Sequence, residues 1–309
     1  MRSLVVMFFF FVLIFGFGSS ILSLENPGGQ NATDSNISRG QVSGSTQTAH
    51  ISTQVDREDD PQSLTPCTTA PNDCSLRSAI IIANSDGKPT AITFTTDYLI
   101  RLSQPLPTLS EDKTTLKAGP AQEVHIDGGG TAGSVLRITG AFVEIEGLRI
   151  YGAGAGYPNI VISDAAHHVA IARNVIGDDD APFGNCGSSS LSYSGIYVDG
   201  FEDIGNETRA WIYDNVIECN MGIPGDGITV RSGGVIIGKD HLGVSDDSQR
   251  NIIRNNRGFG VNLMNTTGNT ICDNEIVSNE SGSLNMINFH NNNVMYNDIV
   301  ESGSENDLG

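Results

Sequence analysis

The sequence predicts an all-β chain wound into a parallel β-helix. Three observations carry that expectation: a 23-residue repeat, alternating apolar residues within each repeat, and asparagines at fixed turn positions. Asn251, Asn274 and Asn297 are spaced by 23, as are Asn256 and Asn279, or Asn269 and Asn292. Apolar residues keep the same step: Ile253, Ile276 and Ile299; Val261 and Leu284; Leu263 and Met286; Ile271 and Val294. A fixed period of this size marks a repeat architecture. It is too short for a pair of helices, and the alternation in Val261-Asn262-Leu263 fits a strand with one face buried. One repeat is therefore one coil.

Upstream, the repeat loosens without disappearing. Asn174-Val175-Ile176 leads to Gly195-Ile196-Tyr197-Val198, Asn215-Val216-Ile217 to Gly227-Ile228-Thr229-Val230, and Asn251-Ile252-Ile253 to Gly260-Val261-Asn262-Leu263. The Gly-to-Gly steps of 32 and 33 exceed 23, so these coils carry insertions, placed at Asp178 to Tyr193, Met221 to Asp226 and Lys239 to Gln249. Earlier still come short β-branched runs such as Ala91-Ile92-Thr93-Phe94, Leu99-Ile100-Arg101-Leu102, Val124-His125-Ile126-Asp127 and Val143-Glu144-Ile145-Glu146. Asparagine suits the turns because it tolerates left-handed backbone and can hydrogen-bond in stacks. With coils about 4.8 Å apart, roughly eight to nine turns make a rod of about 40 Å.

One helix is expected before the coils. In Cys74-Ser75-Leu76-Arg77-Ser78-Ala79-Ile80-Ile81-Ile82-Ala83-Asn84, the residues Leu76, Ala79, Ile80 and Ala83 share a face. Asp73 or Ser75 caps its start and Gly87 follows its end. Such a helix would cover the apolar cross-section of the first coil and its unpaired strand edge.

The N-terminus reads as targeting. Arg2 supplies a positive end, Val5 to Phe17 an apolar stretch, and Gly18-Ser19-Ser20 a small-residue cleavage region. Residues 1–25 are thus a signal peptide, or a membrane anchor if uncleaved. Residues 26–64, rich in Ser, Thr, Asn and Gln, read as a disordered linker. The β-helix domain takes residues 65–300, and 301–309 form an acidic tail.

Net charge is −19, from 36 acidic and 17 basic residues, which argues against a nucleic-acid partner. Five cysteines fit an oxidising compartment. The expected pairs are Cys67–Cys74, closing a small loop, and Cys186–Cys219, bridging neighbouring coils; sequence alone leaves the connectivity open. Cys272 remains as a buried thiol.

Two stretches carry a family resemblance. Cys74-Ser75-Leu76-Arg77-Ser78-Ala79 is similar to the C-S-L-R-E-A signature of bacterial exported β-helix proteins, departing from it at Ser78. Gly234-Val235-Ile236-Ile237-Gly238, with Asn251-Ile252-Ile253-Arg254-Asn255-Asn256 and Gly260-Val261, resembles the repeats of the same group. The resemblance implies a right-handed parallel β-helix, secreted or displayed at the cell surface. It implies little about activity, because fold alone does not confer function.

Two functional readings follow. In the first, the chain is a non-catalytic module for adhesion or glycan contact. In the second it is a carbohydrate-active enzyme, a polysaccharide lyase or glycosidase using Asp178, Asp199 and Asp226. In either, Tyr193, Tyr197 and Trp211 are the residues to stack on a sugar ring. Arg173, Arg209 and Arg231 are the cations available to an enzyme. Calcium is the one cofactor the chain invites, at the acidic run Asp178-Asp179-Asp180. His167-His168 opens a strand, and adjacent residues on a strand are poor metal ligands.

Overall fold

A computed structural model describes residues 51–58, 67–163, 166–177, 186, 191–200, 207–240, 249–288 and 290–300. The expected leader, most of the linker, the acidic tail and Asp178, Asp179 and Asp180 lie outside the described residues. The described chain winds as a right-handed parallel β-helix. Its strands form three sheets of nine, eight and six members, with every strand pair parallel, and from Thr115–Lys117 onward successive strands pass from sheet to sheet in turn.

The core is made of aliphatic columns running along the axis. In the eight-stranded sheet one column is isoleucine throughout: Ile100, Ile126, Ile150, Ile176, Ile217, Ile253, Ile276 and Ile299. In the nine-stranded sheet, Ile92, Leu116, Ile145, Ile171, Ile212, Ile237, Ile271 and Val294 stack likewise. The 23-residue step therefore maps onto register, since Ile253 pairs with Ile276 and Ile276 with Ile299. A β-branched side chain repeated at one position packs against its own copy above and below. This suits its stiff rotamer to the pleated surface.

The corners are held by buried asparagines. Between the nine- and eight-stranded sheets, Asn174 donates from Nδ2 to Asn215 Oδ1 at 3.1 Å. The chain continues through Asn251 at 3.0 Å, Asn274 at 2.8 Å and Asn297 at 2.9 Å. A second ladder joins Asn159, Asn220, Asn256 and Asn279 at the next corner, with steps of 3.0, 2.8 and 2.9 Å. Each amide also meets backbone: Asn251 Nδ2 donates to Ile212 O, and Asn251 Oδ1 accepts from the Asn215 N–H. The glycines that open the following strands make room for this. A Cβ on Gly227 would stand 2.6 Å from Gly260 O and 2.9 Å from Asn256 Nδ2, so the column Gly195, Gly227, Gly260 leaves space for the ladder.

Two expectations need correction. The ladder asparagines do not adopt the left-handed backbone. That conformation falls on the preceding residue at seven of the nine: Arg173, Asp214, Asp273 and Tyr296 on the first ladder, and Cys219, Asn255 and Ser278 on the second, all with φ between 54° and 58°; the residues before Asn251 and Asn159 do not share it. Apart from the buried, disulfide-bonded Cys219, the turn residue faces out and the asparagine in, because the amide is needed where the backbone carbonyls are buried. The linker also ends early. Ile51–Val55 forms a strand paired in register with Thr90–Phe94, and its alternating Thr53 and Val55 are buried.

The helix spans Leu76–Asp86, capped by the Ser75 hydroxyl, which accepts from Ser78 N, and ended by Gly87 at φ 63°. Leu76, Ala79, Ile80 and Ala83 are buried in the common core. Both expected disulfides are present, and Cys272 is free and buried. Burial pushes the Cys272 thiol up to about 11. In the folded protein at pH 8 this thiol should resist iodoacetamide and become alkylated only after denaturation, as mass spectrometry would show.

The ladder makes a second prediction. Asn251→Ala strands the Asn215 N–H inside the protein and should cost about 2–3 kcal/mol. Asn297→Ala, on the last described coil where water can substitute, should cost under about 1 kcal/mol. Urea unfolding of the two variants measures the difference.

Candidate groove on the six-stranded sheet

Because side chains alternate along a strand, the residues between the inward columns of the six-stranded sheet form an outward row: Arg137, Val161, Tyr197, Thr229, Asn262 and Asn285. The row is not uniformly open. Thr229 and Asn262 are buried, whereas Arg137 is exposed and Tyr197 half-buried. Below them the face opens into a cavity of about 260 Å³, lined among others by Arg137, Tyr157, Val161, Ser163, Tyr197 and Asp199.

The groove mixes rings with charge. Tyr193 and Tyr197 meet edge to face, with centroids 5.9 Å apart. Arg231, from the next coil, donates from Nη1 to the Tyr197 hydroxyl at 3.2 Å. That hydroxyl donates in turn to Asp199 Oδ2 at 3.5 Å. Burial, more than the neighbouring Asp199 and Tyr193, raises the Tyr197 pKa above that of an ordinary phenol, while Arg231 opposes the rise. The phenol thus stays a hydrogen-bond donor throughout the neutral range. Asp199 Oδ1 is enclosed and has no hydrogen-bond partner among the described residues.

The sequence-derived residues separate here. Tyr193, Tyr197 and Asp199 come together, with Arg231 as the cation that touches them. Trp211 does not join them, because its strand, Ala210–Tyr213, belongs to the nine-stranded sheet. Asp226 is fully buried. Its carboxylate accepts from Thr229 Oγ1 at 2.9 Å, Asn262 Nδ2 at 2.8 Å and Phe259 N at 2.8 Å, which ties two coils together. A carboxylate so enclosed and engaged cannot reach a polysaccharide, and a catalytic role for Asp226 is not carried forward. Arg209 is buried and donates to Ala166 O, and Arg173 pairs with Glu146.

A second constellation lies on the outer face of the nine-stranded sheet. Glu144 and Glu146 share one face of the strand Glu144–Glu146. In register they are followed by Ala170 and Ala172, then by Trp211 and Tyr213. Glu146 is held between Lys117 at 2.5 Å and Arg173 at 2.9 Å. The Glu144 carboxyl is raised above the usual range, first by burial, then by the charge of Glu146 and a hydrogen bond to it. Tyr213 is raised by burial and by Glu144. The signal was present as Glu-Ile-Glu within a strand, where i and i+2 share a face. The cations that flank the pair come from other coils and could be placed only through the register.

Scans of the sequence against protein-family profiles and curated proteins return no match. Among solved structures, the chain is similar to jun a 1, the major allergen from cedar pollen. Identity is 13% and the TM-score 0.34, over 75% of this chain and 59% of that one. This chain thus aligns to less than two thirds of that protein.

The raised Glu144 has a pH signature. Its folded-state pKa lies above 4.5, so the stability linked to its proton is fully present below pH 4.5 and is lost as pH rises through the folded value. Glu144→Gln should therefore stabilise the protein at pH 7 and do so progressively less towards pH 4. Thermal melting across that range checks the sign.

Proposed function

We propose that this chain is an exported, non-catalytic β-helix module that contacts a polysaccharide or cell-surface glycan through the groove of the six-stranded sheet. The observation that carries the reading is the placement of Tyr157, Tyr197 and Asp199 along an open cavity, with Tyr193 packed edge-on against Tyr197 and Arg231 bonded to the Tyr197 hydroxyl. A pyranose presents an apolar C–H face and a rim of hydroxyls. Phenol rings match the first, and a carboxylate and a guanidinium match the second. Export is supported by two disulfides, which persist in oxidising compartments. It is supported also by the apolar N-terminal segment and by the resemblance to bacterial exported β-helix proteins with a C-S-L-R-E-A signature. If the N-terminal segment stays uncleaved, it is the part that would contact a membrane; among the described residues no helix is long and apolar enough to cross a bilayer.

A catalytic reading has one specific observation in its favour, two carboxyls, Glu144 and Glu146, on one strand face beside Arg173 and Lys117. Against it stands the engagement of both cations by Glu146, which leaves neither to steady charge developing on a substrate.

Glycan-array binding followed by titration of a positive oligosaccharide tests the proposal. Tyr197→Ala should weaken binding about tenfold, as expected for removing a stacked aromatic. Trp211→Ala, on another sheet, should leave it unchanged. Release of new reducing ends or unsaturated products from any polysaccharide would overturn the non-catalytic reading. Loss of binding on Trp211→Ala but not on Tyr197→Ala would overturn the groove.

A further inference from the structure

The corner that leads from the six-stranded to the nine-stranded sheet brings together three side chains that could act as metal ligands. His167 Nδ1 lies 2.8 Å from His168 Nδ1 and 3.4 Å from Glu207 Oε2, and the three ligand atoms all lie within 4.8 Å of one another. We propose that His167, His168 and Glu207 bind a divalent cation of the zinc class.

Neighbours on a strand project to opposite faces, which is why the sequence argued against this pair. The backbone removes the objection. His168 adopts φ 54°, the left-handed turn conformation, just before the strand Val169–Ala172 begins, and this brings both imidazoles to one side. The corner is pinned on two sides. Phe142 N donates to His167 O at 2.9 Å, and His168 N donates to Thr208 O at 2.9 Å, next to Glu207. Each ligand is thereby fixed by the coil that follows or precedes it.

The rings are oriented before any ion arrives. Phe142, at the same corner one coil earlier and also left-handed, stacks on His168 with centroids 4.6 Å apart and planes 14° from parallel. Trp211, from the next coil, approaches the same imidazole at 5.4 Å. His167 sits edge-on to Phe142 at 5.4 Å. His168 is therefore held between aromatic rings of two neighbouring coils, so little side-chain entropy remains to be lost on binding. Glu207 is half-exposed, which leaves the site open to solvent on one side.

The chemistry of the donors selects the ion. Bonds of about 2.0–2.1 Å in a tetrahedron place ligand atoms roughly 3.3 Å apart, so the 3.4 Å separation already fits and the 2.8 Å one need only widen slightly. Two imidazole nitrogens at 2.8 Å must hold a proton between them; on coordination that proton moves to solvent and both Nδ1 atoms present lone pairs to the cation. Two nitrogens and one carboxylate oxygen favour zinc, copper or nickel over calcium or magnesium, which prefer all-oxygen sets. The fourth position falls to water from the open side. The site stands on a different sheet corner from the glycan groove, so either proposal can fail without the other.

The test is calorimetric titration of the full chain with zinc chloride in excess calcium, together with Cu²⁺ electron paramagnetic resonance. One equivalent of zinc should bind, unaffected by calcium, and the Cu²⁺ spectrum should show coupling to two nitrogens. His167→Ala and His168→Asn should each abolish both signals, asparagine being chosen because it tolerates the left-handed corner. Glu207→Gln should weaken zinc binding by at least roughly tenfold, the loss that a supporting partner of a metal ligand alone would give. If a histidine variant loses its fold along with zinc, the Glu207→Gln result decides. Absence of zinc uptake, full displacement by calcium, or unchanged binding in a folded histidine variant overturns the proposal.

Discussion

A buried primary amide has four hydrogen-bonding positions to fill and no water to fill them. In this molecule the solution is the coil above and the coil below. Asn251 accepts from one neighbouring amide, donates to the next, and serves the backbone on either side. A slip of one residue between coils would leave such a group stranded at every step of the ladder. The apolar columns tolerate small displacements among isoleucines; the ladders do not. Register is therefore set chiefly at the corners, and the sheets follow.

From that constraint the functional faces follow too. Each sheet's outward row is composed of one residue per coil, so a constellation on the surface is assembled from positions far apart in the chain but equivalent in the repeat. Arg231 reaches Tyr197 from the next coil, and Trp211 reaches His168 in the same way. Asp226 shows the opposite case, a residue whose place at a strand entrance draws it into the seam between coils.

How much of this was legible from the residues depends on how local the cause is. The spacing of Ile253, Ile276 and Ile299 dictated their stacking, and Asn251, Asn274 and Asn297 their ladder. The glycines before the strands are visible as a pattern, but their reason, clearance for the second ladder, emerges only once the coils are stacked. Within the groove, Tyr197 and Asp199 were foreseeable because i and i+2 share a face. Trp211 falls on another sheet, a placement the sequence hides because insertions of unequal length obscure which sheet a strand joins. The histidine pair escaped for a different cause. Its convergence rests on one left-handed residue, and nothing in the composition of His167-His168-Val169 announces it.

The passage of strands through three sheets in turn has a mechanical corollary. Among the described residues, strand pairing joins a coil to its two neighbours, so cooperativity runs along one axis and weakens towards the last described coil. On the final described coil Ile299 and Val300 are solvent-accessible, while their counterparts in the middle, such as Ile253, are sealed. Such a rod opens by peeling rather than by melting throughout. Amide protons near Asn251 should then outlast those near Asn297, in a graded sequence set by depth along the stack.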